Sequence, residues 1–221
     1  MGHIMIKKLL TLLAATALAI STPLSASAAP TAGQTYGSLA AKWWIWAGSQ
    51  PVPTNPVVDK TGKDCANGQS GNTWFLAGAI GGGDISRTCT LPAGSDLFFP
   101  LINIVDIEAK ADNRTPGDVQ RILSSVDVKN STSNLTVTFD GKAIGPDVIK
   151  YEESPMFALT LPKHNIFGAP AGDYDPCGDN GYYALITGAT PGEHTLKFTG
   201  AYDGPLGKFS INATYRLSVT S

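Results

Sequence analysis

From Asn72 to Asn103 three apolar runs of strand length alternate with turn chemistry. The runs are Asn72–Ile80, Ile85–Leu91 and Asp96–Asn103, divided by Gly81-Gly82-Gly83-Asp84 and Pro92-Ala93-Gly94. That alternation predicts three strands in a meander, with Trp74, Phe75, Phe98 and Phe99 supplying much of the aromatic area of a core. From Asn134 strand-like patterning returns. Leu-Thr-Val-Thr-Phe runs into Asp140-Gly141, a tight-hairpin signal, and Met156–Leu161 and Tyr182–Ile186 follow. At the end of the chain Phe209, Ile211, Ala213, Tyr215, Leu217 and Val219 alternate with Ser210, Asn212, Thr214, Arg216 and Ser218. One buried face and one wet face mark an antiparallel sheet.

Two segments read as helix. Over Thr35–Ser49, Tyr36, Leu39, Trp43, Trp46 and Gln50 fall on one face at three- and four-residue spacing, with Ser38, Lys42 and Ser49 opposite and Trp44 at the flank. The segment is expected to plug one end of the sheet core. Thr115-Pro116-Gly117-Asp118 opens the second helix, with a hydroxyl at the N-cap, proline at the first helical position and an acid at the third. Val119, Ile122, Leu123 and Val126 give it a narrow apolar stripe. About eight to ten strands with two short helices predict a mainly β fold. The expectation is an antiparallel β-sandwich, jelly-roll-like or immunoglobulin-like.

The first residues change the picture of where the domain starts. Lys7 and Lys8 precede an apolar run from Leu9 to Ile20, then Ala26-Ser27-Ala28 before Ala29. This is the order of a secretory signal peptide, and its apolar run is too short to span a bilayer. Met1–Ile4, ahead of a second methionine, read as a tag remnant or upstream start. A signal peptide over 1–28 leaves one domain over 29–221, exported to the periplasm or the medium and not membrane-spanning. The whole chain carries 16 Lys and Arg against 18 Asp and Glu. Without Lys7 and Lys8 the balance is 14 − 18, or −4. A mildly acidic surface argues against nucleic acid and anionic lipid as partners.

In an oxidising compartment Cys65 and Cys89 are candidates for a disulfide worth ~3 kcal/mol by chain entropy. Cys177 is then odd, either buried and free or paired between chains. Asn113, Asn130, Asn134 and Asn212 head Asn-x-Ser/Thr sequons, read as polar surface positions without glycan.

Several groups are candidates for chemistry. Trp43, Trp44 and Trp46 could offer indole faces to a glycan, or could pack inward. Asp173, Asp175, Asp179 and Asn180, in a segment whose Asp/Asn/Gly content reads as a loop, gather oxygen ligands of the kind calcium prefers. The segment lacks EF-hand spacing, so calcium there would staple the loop. Asp106 and Glu108 share one face of a strand, as a candidate acid–base pair or as an exposed charged face. Gly68-Gln69-Ser70-Gly71 resembles a nucleophile elbow only superficially, because position 72 is Asn. His194, where a turn enters a strand, reads as a corner residue bonded back to backbone; His164 lies in a polar loop. No zinc spacing is present.

Trp43-Trp44-Ile45-Trp46-Ala47, Asn55-Pro56, Gly68-Gln69-Ser70-Gly71 with Trp74-Phe75-Leu76-Ala77-Gly78, Pro92-Ala93-Gly94 with Phe98-Phe99-Pro100, and Pro191-Gly192-Glu193-His194-Thr195 together resemble a family of uncharacterised secreted bacterial β-sandwich proteins. The resemblance spans nearly the whole exported chain. It implies export and one β-rich domain, and brings no catalytic residue with it. It also implies a cysteine just after the Phe-Phe-Pro strand, where this chain has Ile104-Val105-Asp106.

The leading expectation is a non-enzymatic binding or envelope/matrix protein outside the cytoplasm, with a glycan or another envelope component as partner and no catalytic residue. One rival is a carboxylate-dependent hydrolase acting on an extracellular polysaccharide, drawing on Asp106, Glu108 or the Asp173, Asp175 and Asp179 group. Another is a structural protein that self-assembles through strand edges.

Overall fold

A computed structural model describes residues 34–221. The expected signal peptide, 1–28, lies outside the described residues. Two five-stranded sheets make the sandwich. The first runs β1 (Thr73–Phe75), β3 (Asp96–Ala109), β8 (Gly172–Ile186), β6 (Ile149–Glu153), with β7 (Phe157–Leu161) also on β8. The second runs β2 (Gly83–Pro92), β10 (Gly207–Thr220), β9 (Gly192–Gly204), β4 (Thr132–Phe139), β5 (Lys142–Ala143). Between them lies a core in which Phe99 and Phe198 meet across the gap at 4.5 Å between ring centroids.

The alternation in the last strand is realised: Ile211, Ala213, Tyr215, Leu217 and Val219 are buried between exposed or half-buried neighbours. Asp140 and Gly141 both take positive φ, 50° and 75°, in the turn joining β4 to β5, as a two-residue hairpin requires.

The expected meander is not formed. β1 and β3 are parallel neighbours in the first sheet, while β2 crosses to the second and pairs in parallel with β10. Both sheets are therefore mixed rather than purely antiparallel. The Pro92–Gly94 turn carries the chain from one sheet to the other, with Ala93 N–H donating to Thr220 O at the end of β10 and Gly94 N–H to Ala189 O between β8 and β9. Turn residues announce a change of direction. They do not say which sheet receives the next strand.

The first helix, α1 (Tyr36–Gly48), starts where expected, with Thr35 and Ser38 forming a reciprocal capping box. It does not plug an end of the inter-sheet core. It lies on the outer face of the first sheet and builds a second core there with Phe98, Tyr183, Leu185, Phe157 and Leu159. Two glycines allow the close approach: a Cβ on Gly37 would lie 2.8 Å from Glu153 O, and one on Gly48 would lie 2.8 Å from Leu159 Cδ2. Sheet one is covered on both faces, which explains why Asp96–Ile102 in β3 is buried without alternation. The second helix, α2 (Pro116–Val126), has the predicted Thr115–Asp118 capping box. With the short α3 (Val128–Ser131) it closes the inter-sheet core through Val126 and Val128.

Cys65 and Cys89 are joined, closing a separation of 24 residues. Cys177 is free and buried, and burial pushes its thiol up to about 11, so it stays protonated and unreactive at neutral pH. Replacing Cys65 and Cys89 together by alanine is expected to lower the unfolding free energy by about 3 kcal/mol, read from urea denaturation.

Candidate functional site

The exposed side of α1 consists of Lys42, Ile45 and Ser49. Opposite it stands the segment Gly68–Phe75, and the two walls enclose a cleft of about 420 Å³. Small-molecule sites commonly fall between ~300 and 1,000 Å³. Leu39, Ile45, Trp46 and Phe75 give the cleft its apolar lining; Gln34, Lys42, Ser49, Ser70, Asn72 and Thr73 give it donors and acceptors.

The wall opposite the helix is held by a side-chain clamp. Gln69 Nε2 donates to Phe75 O at 2.8 Å and to Cys65 O at 3.0 Å, while its Oε1 accepts from Phe75 N–H at 2.9 Å. Gly68 sits at φ +68°, and a Cβ there would lie 2.3 Å from Gln50 Nε2. Trp46 Nε1 donates to Asn67 O at 2.9 Å, tying helix to wall, and the disulfide at Cys65 anchors the base. The cleft is thus shaped before any ligand arrives, which lowers the ordering cost of binding. Within Gly68-Gln69-Ser70-Gly71 it is Gln69 that makes this clamp. Ser70 stands at the cleft with no histidine, carboxylate or cysteine among the lining residues, so nothing there activates it as a nucleophile.

The tryptophans are buried and do not form an open platform. Trp43, Trp44 and Trp46 are 3%, 7% and 5% exposed, and their indole N–H groups point inward to Leu76 O, Asp179 Oδ2 and Asn67 O. Trp46 is one of the residues lining the cleft. Trp43 and Trp44 border a separate apolar pocket of about 110 Å³ with Pro100, Ile166 and Ile211.

The expected Asp173–Gly181 loop is part of β8, and its four candidate metal ligands do not converge. A register shift near Ile107 leaves Asp173 and Asp175 exposed at the strand's start, whereas Asp179 and Asn180 are buried. Asp179 faces α1 through Trp44, while Asn180 Nδ2 reaches Leu123 O of α2, on the other side of the sheet. Among the described residues no three His, Cys, Asp or Glu side chains gather where they could hold a metal. Asp106 and Glu108 do not join Asp179 either. Asp106 is paired with Gly178, one position out of phase, and so points to the opposite face. Glu108 instead has Arg114 at 3.7 Å.

Asp179 is the unusual ionisable group. It is 1% exposed, and its Oδ2 accepts from both Trp44 Nε1 (2.7 Å) and Tyr183 OH (2.6 Å), while Oδ1 has no partner. Asn103 Nδ2 continues the chain to Tyr183 OH at 3.1 Å. Desolvation pushes the carboxyl up to about 7 against the lowering effect of its two donors. No cation pairs with it among the described residues. The network fastens α1 to β8.

His194 is the corner residue its position suggested. Its Nε2 bonds Thr190 O at 2.9 Å and its Nδ1 bonds Asp140 Oδ2 at 2.8 Å, while Asp140 Oδ1 accepts from Thr195 N–H at 2.8 Å. This fastens the β4–β5 turn to the start of β9. His164 is exposed.

No family model, no curated protein and no solved structure matches the chain. The fold and the cleft define a class, a β-sandwich carrying a tryptophan-rich helix and a preformed surface cleft. Among the described residues no helix is long and apolar enough to cross a membrane.

Proposed function

We propose that this is an extracytoplasmic, non-enzymatic binding protein of the envelope or matrix, and that the cleft between α1 and Gly68–Phe75 takes a saccharide unit. The observation that carries this reading is the cleft itself: a clamped cavity of about 420 Å³ with an aromatic lining and a rim of hydroxyl and amide groups. The half-buried Phe75 ring offers aromatic surface that attracts the weakly positive C–H face of a sugar ring, and rim donors and acceptors suit its hydroxyls. The lining offers no acid–base pair, which favours retention of the ligand over cleavage. Export rests on the Lys7–Ala28 sequence pattern.

Filling the cleft tests this. Ser70 is exposed on the cleft wall, and its side chain makes no hydrogen bond to the other described residues. Ser70→Trp is expected to leave the unfolding midpoint within about 2 °C while reducing saccharide affinity at least about tenfold. The measurement is calorimetric titration with oligosaccharides that the wild type retains on an array. Unchanged affinity in a folded Ser70→Trp variant would remove the cleft as the site.

A further inference from the structure

The lining of the cleft is electrically one-sided. Among the described residues Lys42, exposed in the middle of α1, is its single charged residue, and no aspartate or glutamate lines it. Lys42 makes no ion pair among the described residues, so no neighbouring carboxylate there neutralises its charge. The chain as a whole is acidic, with 18 carboxylates against 16 Lys and Arg, so an isolated ammonium in the cleft runs against the overall charge. Beside it lies the apolar surface of Leu39, Ile45 and Trp46, where an opposite charge is attracted more strongly than in open water.

Resting on the saccharide reading above, we infer that the cleft selects an acidic saccharide unit of the uronic-acid class. Lys42 Nζ meets the sugar carboxylate, Phe75 meets the C–H face, and Ser70, Asn72 and Thr73 meet the hydroxyls. A neutral sugar retains the last two sets of contacts and loses the first. A doubly charged or phosphorylated ligand would find no second cation among the described lining residues.

The test is calorimetric titration of the full chain with a uronic-acid oligosaccharide and with the matched neutral oligosaccharide, in which each carboxylate is replaced by a hydroxymethyl group. Wild type is expected to favour the acidic ligand about tenfold at low salt, and the preference should shrink as ionic strength rises. Lys42→Gln is expected to bring the two affinities together by weakening the acidic ligand about tenfold; Lys42→Arg should retain the preference. Equal binding of both ligands by wild type, abolished by Ser70→Trp, would overturn the acidic selection and leave saccharide binding standing. An acidic preference that survives Lys42→Gln would also overturn it. Binding of neither ligand would remove both readings together.

Discussion

Raising the pH from 5 to 8 is expected to destabilise the protein by about 2–3 kcal/mol through Asp179 alone, and Asp179→Asn is expected to abolish that component. The carboxyl titrates at about 7 in the folded chain against an ordinary value of 3.8, because burial disfavours the charged form. Below pH ~4 folded and unfolded chains both hold the proton, and Asp179 adds no pH dependence. Between ~4 and ~7 only the folded chain holds it, so the unfolded state binds fewer protons and stability falls as pH rises. Above ~7 both forms are ionised and the loss levels off. The slope approaches 1.36 kcal/mol per pH unit, with about 4 kcal/mol as the upper figure for the whole window.

Asparagine keeps an acceptor for Trp44 Nε1 and Tyr183 OH, the two donors at 2.7 and 2.6 Å. It carries no charge at any pH. The variant should match wild type near pH 5 and exceed it at pH 8, as read from urea unfolding across that range. Parallel curves for the two proteins would show that the carboxyl ionises without penalty. Asp179→Ala, by contrast, should be less stable than wild type at pH 5, since both donors lose their acceptor in a buried site.

The second large effect is expected at Arg87, which the sequence placed in an ordinary strand. Its side chain is 2% exposed and faces no carboxylate in any ion pair found among the described residues. Instead Nε donates to Asp59 O at 2.6 Å, one terminal nitrogen to Val57 O at 2.7 Å, and the other to Ala77 O, Gly78 O and Tyr215 OH. The guanidinium therefore holds the Val57–Asp59 segment and the Ala77–Gly78 segment to β2 and β10. Arg87→Met takes the Arg87 donor from Val57 O, Asp59 O and Gly78 O, while Ala77 O keeps Tyr215 OH at 2.7 Å, and is expected to cost about 3–5 kcal/mol. Tyr215→Phe, which removes one hydroxyl, should cost about 1–2 kcal/mol. Denaturant unfolding measures both. A cost for Arg87→Met no larger than that for Tyr215→Phe would mean that water reaches the abandoned carbonyls.

Much of the local structure was legible along the chain. The Thr35 and Thr115 helix starts, the Asp140-Gly141 hairpin and the alternation of Phe209–Val219 depend on neighbours a few residues away, and they stand where periodicity put them. The disulfide was legible because one of its cysteines lay in the second of the expected strands and the other in the loop before the first. The candidate cleft was only half legible. Trp46 and Ser70 were noticed, but their shared cavity depends on Gln69 reaching both Cys65 O and Phe75, and a glutamine in a polar loop carries no pattern that announces a clamp.

What the sequence alone determined, then, was a β-rich chain with two capped helices, one cross-link and a strongly one-sided final strand. Only the tertiary structure decided which sheet each strand joined. It turned Asp173–Gly181 from expected loop to strand, because β3 on one side and β6 and β7 on the other satisfy its backbone, whatever its turn-forming composition. It also buried Asp179 under Trp44, 135 residues away in the chain. Periodicity records which faces avoid water; it holds no information about which distant face completes the contact.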